Sequence, residues 1–187
     1  LHLEAERFDG FLAALGDRVD PEPLLVGHSD GGSIALLHAA ADGGHRGRSL
    51  RGLITLAAHS WVEQRCVDGI ADMVAKRDLI VAGLVRYHAN PGRVFDAWSG
   101  VWLSDAFRPW DVRDHLSSIP CPTLVVQGRD DEYATEAHGT ETAAAIGPNA
   151  EARLLDGVGH LLHHQDPDLV VRLVTEGHRR FPPSGAR

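Results

Sequence analysis

Short, continuous apolar runs mark one class of element along the chain. They cover residues 24–26 (LLV), 50–57 (LRGLITLA) and 123–127 (TLVVQ), with a weaker run at 152–155 (ARLL). Runs that are apolar on both sides are typical of strands in a parallel sheet that helices cover on each face. We therefore predict a strand at each run, the first of which leads directly into a glycine-rich turn.

Apolar residues at helical spacing predict helices around these strands. The predicted helices cover residues 1–16, 32–41, 136–146 and 167–180. Strands that alternate with helices are typical of α/β proteins. The expected fold is a three-layer α/β sandwich with a mostly parallel sheet.

Residues 60–118 interrupt this alternation. They show no convincing strand pattern, yet they contain all four tryptophans of the chain and apolar residues at helical spacing. Such a segment is too long for an ordinary connection and too apolar for a disordered linker. We predict a helical insertion at 60–118, between a first core part at 1–59 and a second core part at 119–187.

The charge balance narrows the classes of partner. Lys and Arg number 18 against 26 Asp and Glu, which gives a net charge of -8 and disfavours nucleic acid or an anionic membrane surface as the main partner. No apolar stretch has the length of a membrane span, and the N-terminus shows no signal-peptide pattern. Cys66 and Cys121 fit a reducing compartment or simple core packing, so we expect a cytoplasmic protein.

The glycine-rich turn carries the clearest chemical signal. Gly27-His28-Ser29-Asp30-Gly31 satisfies G-x-S-x-G between a predicted strand and a predicted helix, the context of a nucleophile elbow. The change from strand to helix within one residue strains the backbone of the serine. Side chains at positions 27 and 31 would collide in so tight a turn, which explains the glycine at each position. We expect Gly32 to let the helix pack closely on the sheet.

A nucleophilic serine needs a base, and the base needs an orienting acid. Asp130, Asp131 and Glu132 follow the strand at 123–127, and Asp131, three residues after Gly128, is the preferred acid with Asp130 as the alternative. His160 lies in a glycine-containing loop after the last strand and is the preferred base. Both loops follow the carboxyl ends of parallel strands, where ligand sites of α/β sheets collect.

These motifs also allow three other interpretations. The glycine turn could be a purely structural strand-to-helix turn. The histidines of "HLLHH", at 160–164, could bind a metal, but they lack a nearby glutamate or cysteine partner of a known metal motif. A phosphate site at the glycine turn lacks both the P-loop lysine and the dinucleotide glycine spacing. We expect no metal and no cofactor.

With serine, acid and histidine in this order, the chain resembles the α/β-hydrolase superfamily. "GHSDGG" is similar to the elbow of its esterase-like members, including biphenyl-hydrolase-like enzymes; "VVQGRDDEY" is similar to the acid turn and "LLDGVGH" to the histidine loop. The resemblance implies that Ser29 is the nucleophile, His160 the base and Asp131 its orienting acid. It also implies that the backbone N–H of Asp30 supplies one oxyanion donor.

The insertion at 60–118 falls where the family carries its helical cap, and we expect side chains of this cap to contribute to a substrate pocket. We expect this pocket to include five aromatic or imidazole side chains: His28, Trp61, Trp98, Trp102 and His163. His163 and its neighbour His164 are also candidates for a supporting role beside the catalytic base. The tryptophans of the cap indicate an apolar or aromatic small-molecule ester as the substrate.

The chain departs from the family at its N-terminal end. The family places several strands before the elbow strand. Here only about two dozen residues precede residue 24, which is enough for one helix. We therefore expect the chain to be the C-terminal part of a longer fold, with no assignable second oxyanion donor. The elbow strand would then be an exposed apolar edge, through which two copies could pair.

These inferences predict a serine hydrolase that cleaves carboxylic esters or related acyl bonds through an acyl-enzyme. One alternative is a non-catalytic remnant that pairs with another chain through the exposed elbow strand. A second alternative is hydrolysis of a carbon–carbon bond, because the same triad serves both reactions.

Overall fold

A four-stranded sheet lies at the centre of the structure, a computed structural model that describes residues 1–41 and 50–183. The strands are β1 (Leu24–His28), β2 (Gly52–Leu56), β3 (Thr123–Gly128) and β4 (Ala150–Leu155). Their spatial order is β1-β2-β3-β4, and all three pairings are parallel. Each strand overlaps a predicted apolar run, so the strand predictions are confirmed.

Helices cover both faces of this sheet. The helices are α1 (His2–Leu15), α2 (Asp30–Ala40), α3 (Gln64–Ala75), α4 (Arg77–Leu84), α5 (Pro91–Trp102), α6 (Ala137–Ile146), α7 (Leu162–Gln165) and α8 (Pro167–Arg180). The predicted helices at both ends of the chain and after β1 and β3 are confirmed. Within the described ranges, none of these helices has the length and apolar character needed to cross a membrane.

Alternate residues of each strand point to opposite faces of the sheet and pack in two separate apolar clusters. Leu53 and Val125 point into a cluster with α1, α2 and α6. Ile54 and Leu124 point into the opposite cluster, which α8 completes with Leu173. Burial on both faces explains why the strands are continuously apolar, and it confirms the three-layer α/β sandwich.

The segment between β2 and β3 contains α3, α4 and α5, which we call the cap. A small cluster of Cys66, Ile70 and Trp102 lies within the cap, and Tyr133, from the turn after β3, packs against it. The end of the segment does not pack with these cap helices. The 3-10 helix Arg113–Ser118 lies between α2 and α6 and buries Leu116 in the same cluster as Leu53 and Val125. This last part of the expected insertion therefore packs as part of the core.

Strand β1 lies at one edge of the sheet. It pairs with β2 alone among the described residues, and Val26 in its middle is 37% exposed. The residues before β1 form α1, which packs on α2 and adds no strand. The edge position expected for the elbow strand is thus present in the structure.

Candidate active site

Ser29 occupies the single residue between β1 and α2. Its backbone has φ 52° and ψ -127°, which non-glycine residues rarely adopt. Hydrogen bonds hold this conformation: the Ser29 N–H donates to the Leu56 carbonyl at 2.9 Å, and the Ser29 carbonyl accepts from the N–H of Gly32 at 2.9 Å. A strained residue fixed by its surroundings is characteristic of functional sites.

The glycines around Ser29 have different roles. A Cβ at Gly27 would collide with the backbone of Gly31, and a Cβ at Gly32 would lie 2.6 Å from the Cβ of Ala58. These two positions therefore require glycine. A Cβ at Gly31 would have no atom within 4 Å, so the collision that we expected at position 31 does not occur. The side of the turn that Gly31 faces is open.

Three side chains form a continuous line of hydrogen bonds above the carboxyl ends of the strands. His160 Nε2 lies 2.9 Å from Ser29 Oγ, and His160 Nδ1 lies 2.9 Å from Asp131 Oδ2. Asp131 is fully buried and His160 is 7% exposed. An ionised carboxylate accepts from Nδ1–H, which leaves Nε2 free to accept the proton of the serine hydroxyl.

The turn after β3 is organised around the carboxylate of Asp131. Its oxygens accept hydrogen bonds from Gln127 Nε2 at 2.8 Å and from the backbone N–H groups of Tyr133 and Ala134 at 2.8 and 3.2 Å. Burial alone would raise the pKa of Asp131, but the hydrogen bonds and the charge of His160 outweigh it and lower that pKa. The neighbouring Asp130 is exposed.

Several groups hold the loop that carries His160. The Glu132 carboxylate accepts from the His160 backbone N–H at 3.1 Å, and His28 Nε2–H donates to the His160 carbonyl at 2.8 Å. Gln165 closes the preceding loop at 157–159, where it accepts one N–H and donates to one carbonyl. The sequence placed Glu132 only as a neighbour of the acid and gave no signal for Gln165.

The start of α2 lies next to Ser29. The first N–H groups of a helix have no intrahelical acceptor, and the helix dipole favours negative charge at this end. Asp30 is the first residue of α2, so its backbone N–H is one of these groups and lies directly after Ser29 in the chain.

A cavity of about 170 Å³ opens beside Ser29 and His160 beneath the cap. It is lined by Ser29, Asp30, His59, Cys66, Ile70, Met73, Trp98, Trp102, Glu132, Tyr133, His160 and Leu161. Two of the expected pocket residues, Trp98 and Trp102, are part of this lining. Both belong to α5, so the cap contributes to the lining.

The other three expected pocket residues lie elsewhere. Trp61 stacks on the buried His138, with ring centroids 3.7 Å apart, and does not line the cavity. His28 lies beneath the His160 loop, where its ring contacts His163 at 4.7 Å between centroids. Their side chains therefore support neighbouring elements of the site, and the sequence could not show the direction in which they point.

The charged groups of the cavity are acidic. Asp30 and Glu132 carry carboxylates, and no Lys or Arg is among the lining residues. Burial lowers the pKa of His59 and raises the pKa of the Cys66 thiol to about 12, so both side chains are neutral at pH 7. Within the described ranges, no group of three or more His, Cys, Asp or Glu side chains is placed to hold a metal ion.

Comparison with known proteins gives matches over nearly the whole chain. A sequence model of the alpha/beta hydrolase family matches residues 1–173. Esterase YbfF of Escherichia coli (strain K12) is 25% identical over 119 residues, which are 58% of this chain and 46% of that esterase. The chain therefore spans about half the length of this curated relative.

Solved structures share the fold at low sequence identity. A serine hydrolase involved in carbazole degradation superposes with a TM-score of 0.69 at 16% identity, over 92% of this chain and 68% of that one. A thermophilic esterase from Thermogutta terrifontis gives a TM-score of 0.67 at 22% identity, over 95% of this chain and 71% of that one. At these identities the likeness shows the fold alone.

Proposed function

Because the chain belongs to the alpha/beta hydrolase family, we propose that it is a serine hydrolase that cleaves carboxylic esters or related acyl bonds. One observation carries the proposal: Ser29 Oγ, the ring of His160 and the Asp131 carboxylate form an unbroken line of hydrogen bonds of 2.9 Å each. This is the arrangement that nucleophilic catalysis by a serine requires.

The proposed reaction has two steps. Ser29 Oγ attacks the ester carbonyl while His160 Nε2 takes the hydroxyl proton, and the Asp30 N–H stabilises the oxyanion. The C–O bond to the alcohol then breaks, and His160 returns the proton to the leaving alkoxide, which leaves an acyl-Ser29. In the second step His160 activates a water molecule, which releases the carboxylic acid and restores the serine hydroxyl.

The cavity favours a neutral substrate with an apolar group. Its wall contains the carbon surfaces of Trp98, Trp102 and Ile70, which gain free energy from contact with an apolar chain or ring. The carboxylates of Asp30 and Glu132 would repel an anionic substrate, and the lining contains no cation to offset them. We therefore propose uncharged, apolar or aromatic esters as the substrate class.

Labelling with a fluorophosphonate tests the nucleophile directly. We expect the chain to form a covalent adduct that mass spectrometry locates on Ser29, and Ser29→Ala should abolish the adduct. The control variant Ser104→Ala removes a serine of the cap that lies outside the cavity, and it should leave labelling unchanged. Folded protein that is not labelled, or labelling that persists in Ser29→Ala, would contradict the proposal.

A substrate panel tests the reaction and the substrate class. We expect hydrolysis of neutral p-nitrophenyl esters and slower hydrolysis of a hemiester of matched length that carries a terminal carboxylate. A vinylogous diketone in the same panel tests the alternative of carbon–carbon bond hydrolysis. Turnover of the diketone without turnover of any ester would replace the ester assignment by that alternative.

The edge strand favours a second candidate, association of two copies through β1. Val26 is 37% exposed on a strand that pairs on one side in the described part of the chain. An apolar edge of this kind is a template for pairing with a further strand. Light scattering of the parent chain and of Val26→Lys tests this idea: a dimer that becomes monomeric in Val26→Lys supports it, and a monomeric parent contradicts it.

The cysteines are consistent with the proposed cytoplasmic location. Cys66 and Cys121 are both buried and not bonded to each other. Free thiols persist in reducing compartments. Fractionation of cells that express the chain tests this location.

A further inference from the structure

The carboxylate of Asp30 makes a contact that the proposed chemistry does not require. Its Oδ2 atom accepts hydrogen bonds from the indole N–H of Trp98 at 2.9 Å and of Trp102 at 3.4 Å. The two tryptophans are four residues apart on α5, so their side chains lie on the same face of that helix. The residue directly after the nucleophile thus binds the cap.

We propose that Asp30 is a positioning residue that holds the cap over Ser29, a role that rests on the proposed hydrolase function. Its backbone N–H belongs to the start of α2 beside the nucleophile, while its side chain holds the last turn of α5. The cavity roof and the oxyanion donor are therefore fixed relative to each other through one residue.

The chemistry of the contact fits this role. Hydrogen bonds that a carboxylate accepts are stronger than those between neutral groups. The structure pairs Asp30 with these two indoles and, within the described ranges, with no Lys or Arg. Because both indole N–H groups are occupied, Trp98 and Trp102 present only carbon surfaces to a substrate.

The rest of the cap can transmit the restraint. Arg77 at the start of α4 donates two hydrogen bonds to Asp96 in α5, at 2.6 and 2.8 Å, so these helices are joined to each other. Trp102 is 3% exposed and packs with Cys66 and Ile70 of α3, so α5 is also joined to α3. Release of the indoles from Asp30 is therefore expected to loosen the roof of the cavity as a unit.

Acrylamide quenching of tryptophan fluorescence tests the restraint without any catalysis. We expect Asp30→Ala to increase quenching relative to the parent, and we expect a smaller increase in a Trp98→Phe background, where only Trp102 loses its hydrogen bond to Asp30. Asp30→Asn keeps one amide oxygen as an acceptor, so it should fall between the parent and Asp30→Ala. It also serves as the folded variant if Asp30→Ala is unstable.

Trp110→Phe provides the matched control. The Trp110 indole N–H is buried and has no hydrogen-bond partner among residues 1–41 and 50–183, so Phe at this position removes an aromatic N–H without removing a bond seen there. Trp98→Phe should lower kcat/KM by about 10- to 100-fold, mainly through KM, whereas Trp110→Phe should not. In a double-mutant cycle Asp30→Ala and Trp98→Phe should be non-additive, because both remove the same contact.

Two results would overturn the inference. One is unchanged quenching in Asp30→Ala, and the other is full additivity of Asp30→Ala and Trp98→Phe in kcat/KM. Failure of the hydrolase proposal gives a different result, because the parent would then lack Ser29 labelling whatever the quenching shows.

Discussion

The Nε2 atom of His160 lies 2.9 Å from the Oγ atom of Ser29, although 131 residues separate them in the chain. The parallel strands explain this proximity. Ser29 follows β1, Asp131 follows β3 and His160 follows β4, so all three residues lie beyond the carboxyl ends of the strands. The hydrogen-bonded line thus depends on the topology of the sheet and on short loops after each strand.

The acid position gives the first prediction. Asp131→Asn should lower kcat by about 10³- to 10⁴-fold, because an amide can neither fix the Nδ1–H tautomer of His160 nor stabilise its protonated form. Asp130→Asn is the matched control, because Asp130 is exposed whereas Asp131 is the residue bonded to His160 Nδ1, and the kcat of this variant should equal that of the parent. Steady-state kinetics of the two variants test this prediction. A large loss of kcat in Asp130→Asn, with little loss in Asp131→Asn, would show that Asp130 is the acid.

Glu132 gives the second prediction. Glu132→Ala removes the acceptor for the His160 backbone N–H and should lower kcat by about 10- to 100-fold through misplacement of the ring. Glu132→Gln retains an acceptor oxygen and should recover most of the activity. Because the effect acts through His160, it should be equal for small and large esters. An effect confined to large esters would instead indicate a role in the cavity wall.

The fold was predictable because buried segments have a recognisable pattern of apolar residues. The strands are apolar on both faces because both faces are covered, and the strained turn at Ser29 shows in the glycine at position 27, where any side chain would meet backbone atoms. The positions of Asp131 and His160 could be proposed from their places after predicted strands. Local patterns were thus sufficient to predict the helices and strands and the order of the candidate residues along the chain.

Contacts between distant segments were beyond the sequence. The pattern at 113–118 looks like the end of an insertion, yet Leu116 is buried between α2 and α6. The spacing of Trp61 does not reveal that its ring stacks on His138 rather than facing the cavity. These outcomes depend on the direction of side chains after helices have packed, and no local period encodes that direction.

A pair of glycines gives the third prediction. Gly27→Ala should lower the free energy of unfolding by at least about 3 kcal/mol, because the added methyl group meets the rigid backbone of Gly31. Gly31→Ala places its methyl group in open space within α2, and it should raise the free energy of unfolding by roughly 0.5–1 kcal/mol. Urea unfolding measures both; equal destabilisation by the two changes would show that the turn is closed on both sides.

The buried His138 gives the last prediction, which concerns stability and pH. Burial lowers the pKa of His138 from 6.5 to about 2, and electrostatic repulsion between this imidazole and that of His59 contributes to the shift. In the unfolded chain the imidazole takes up a proton near pH 6.5, whereas in the folded chain it stays neutral. Between these two values the unfolded state binds more protons, so the free energy of unfolding falls as the pH falls.

His138→Gln isolates this contribution from those of other groups. One proton contributes about 1.4 kcal/mol per pH unit, so His138 should cost the parent about 2 kcal/mol between pH 6.5 and pH 5. The variant loses packing on Trp61 and the long hydrogen bond from the Ser60 N–H, so it should be less stable than the parent at pH 7. That deficit should shrink by about 2 kcal/mol in urea unfolding at pH 5, because the variant has no imidazole to titrate. A deficit that stays constant from pH 7 to pH 5 would mean that His138 takes up its proton in the folded state, for which Glu63 Oε2, 3.6 Å from Nε2, is the partner available.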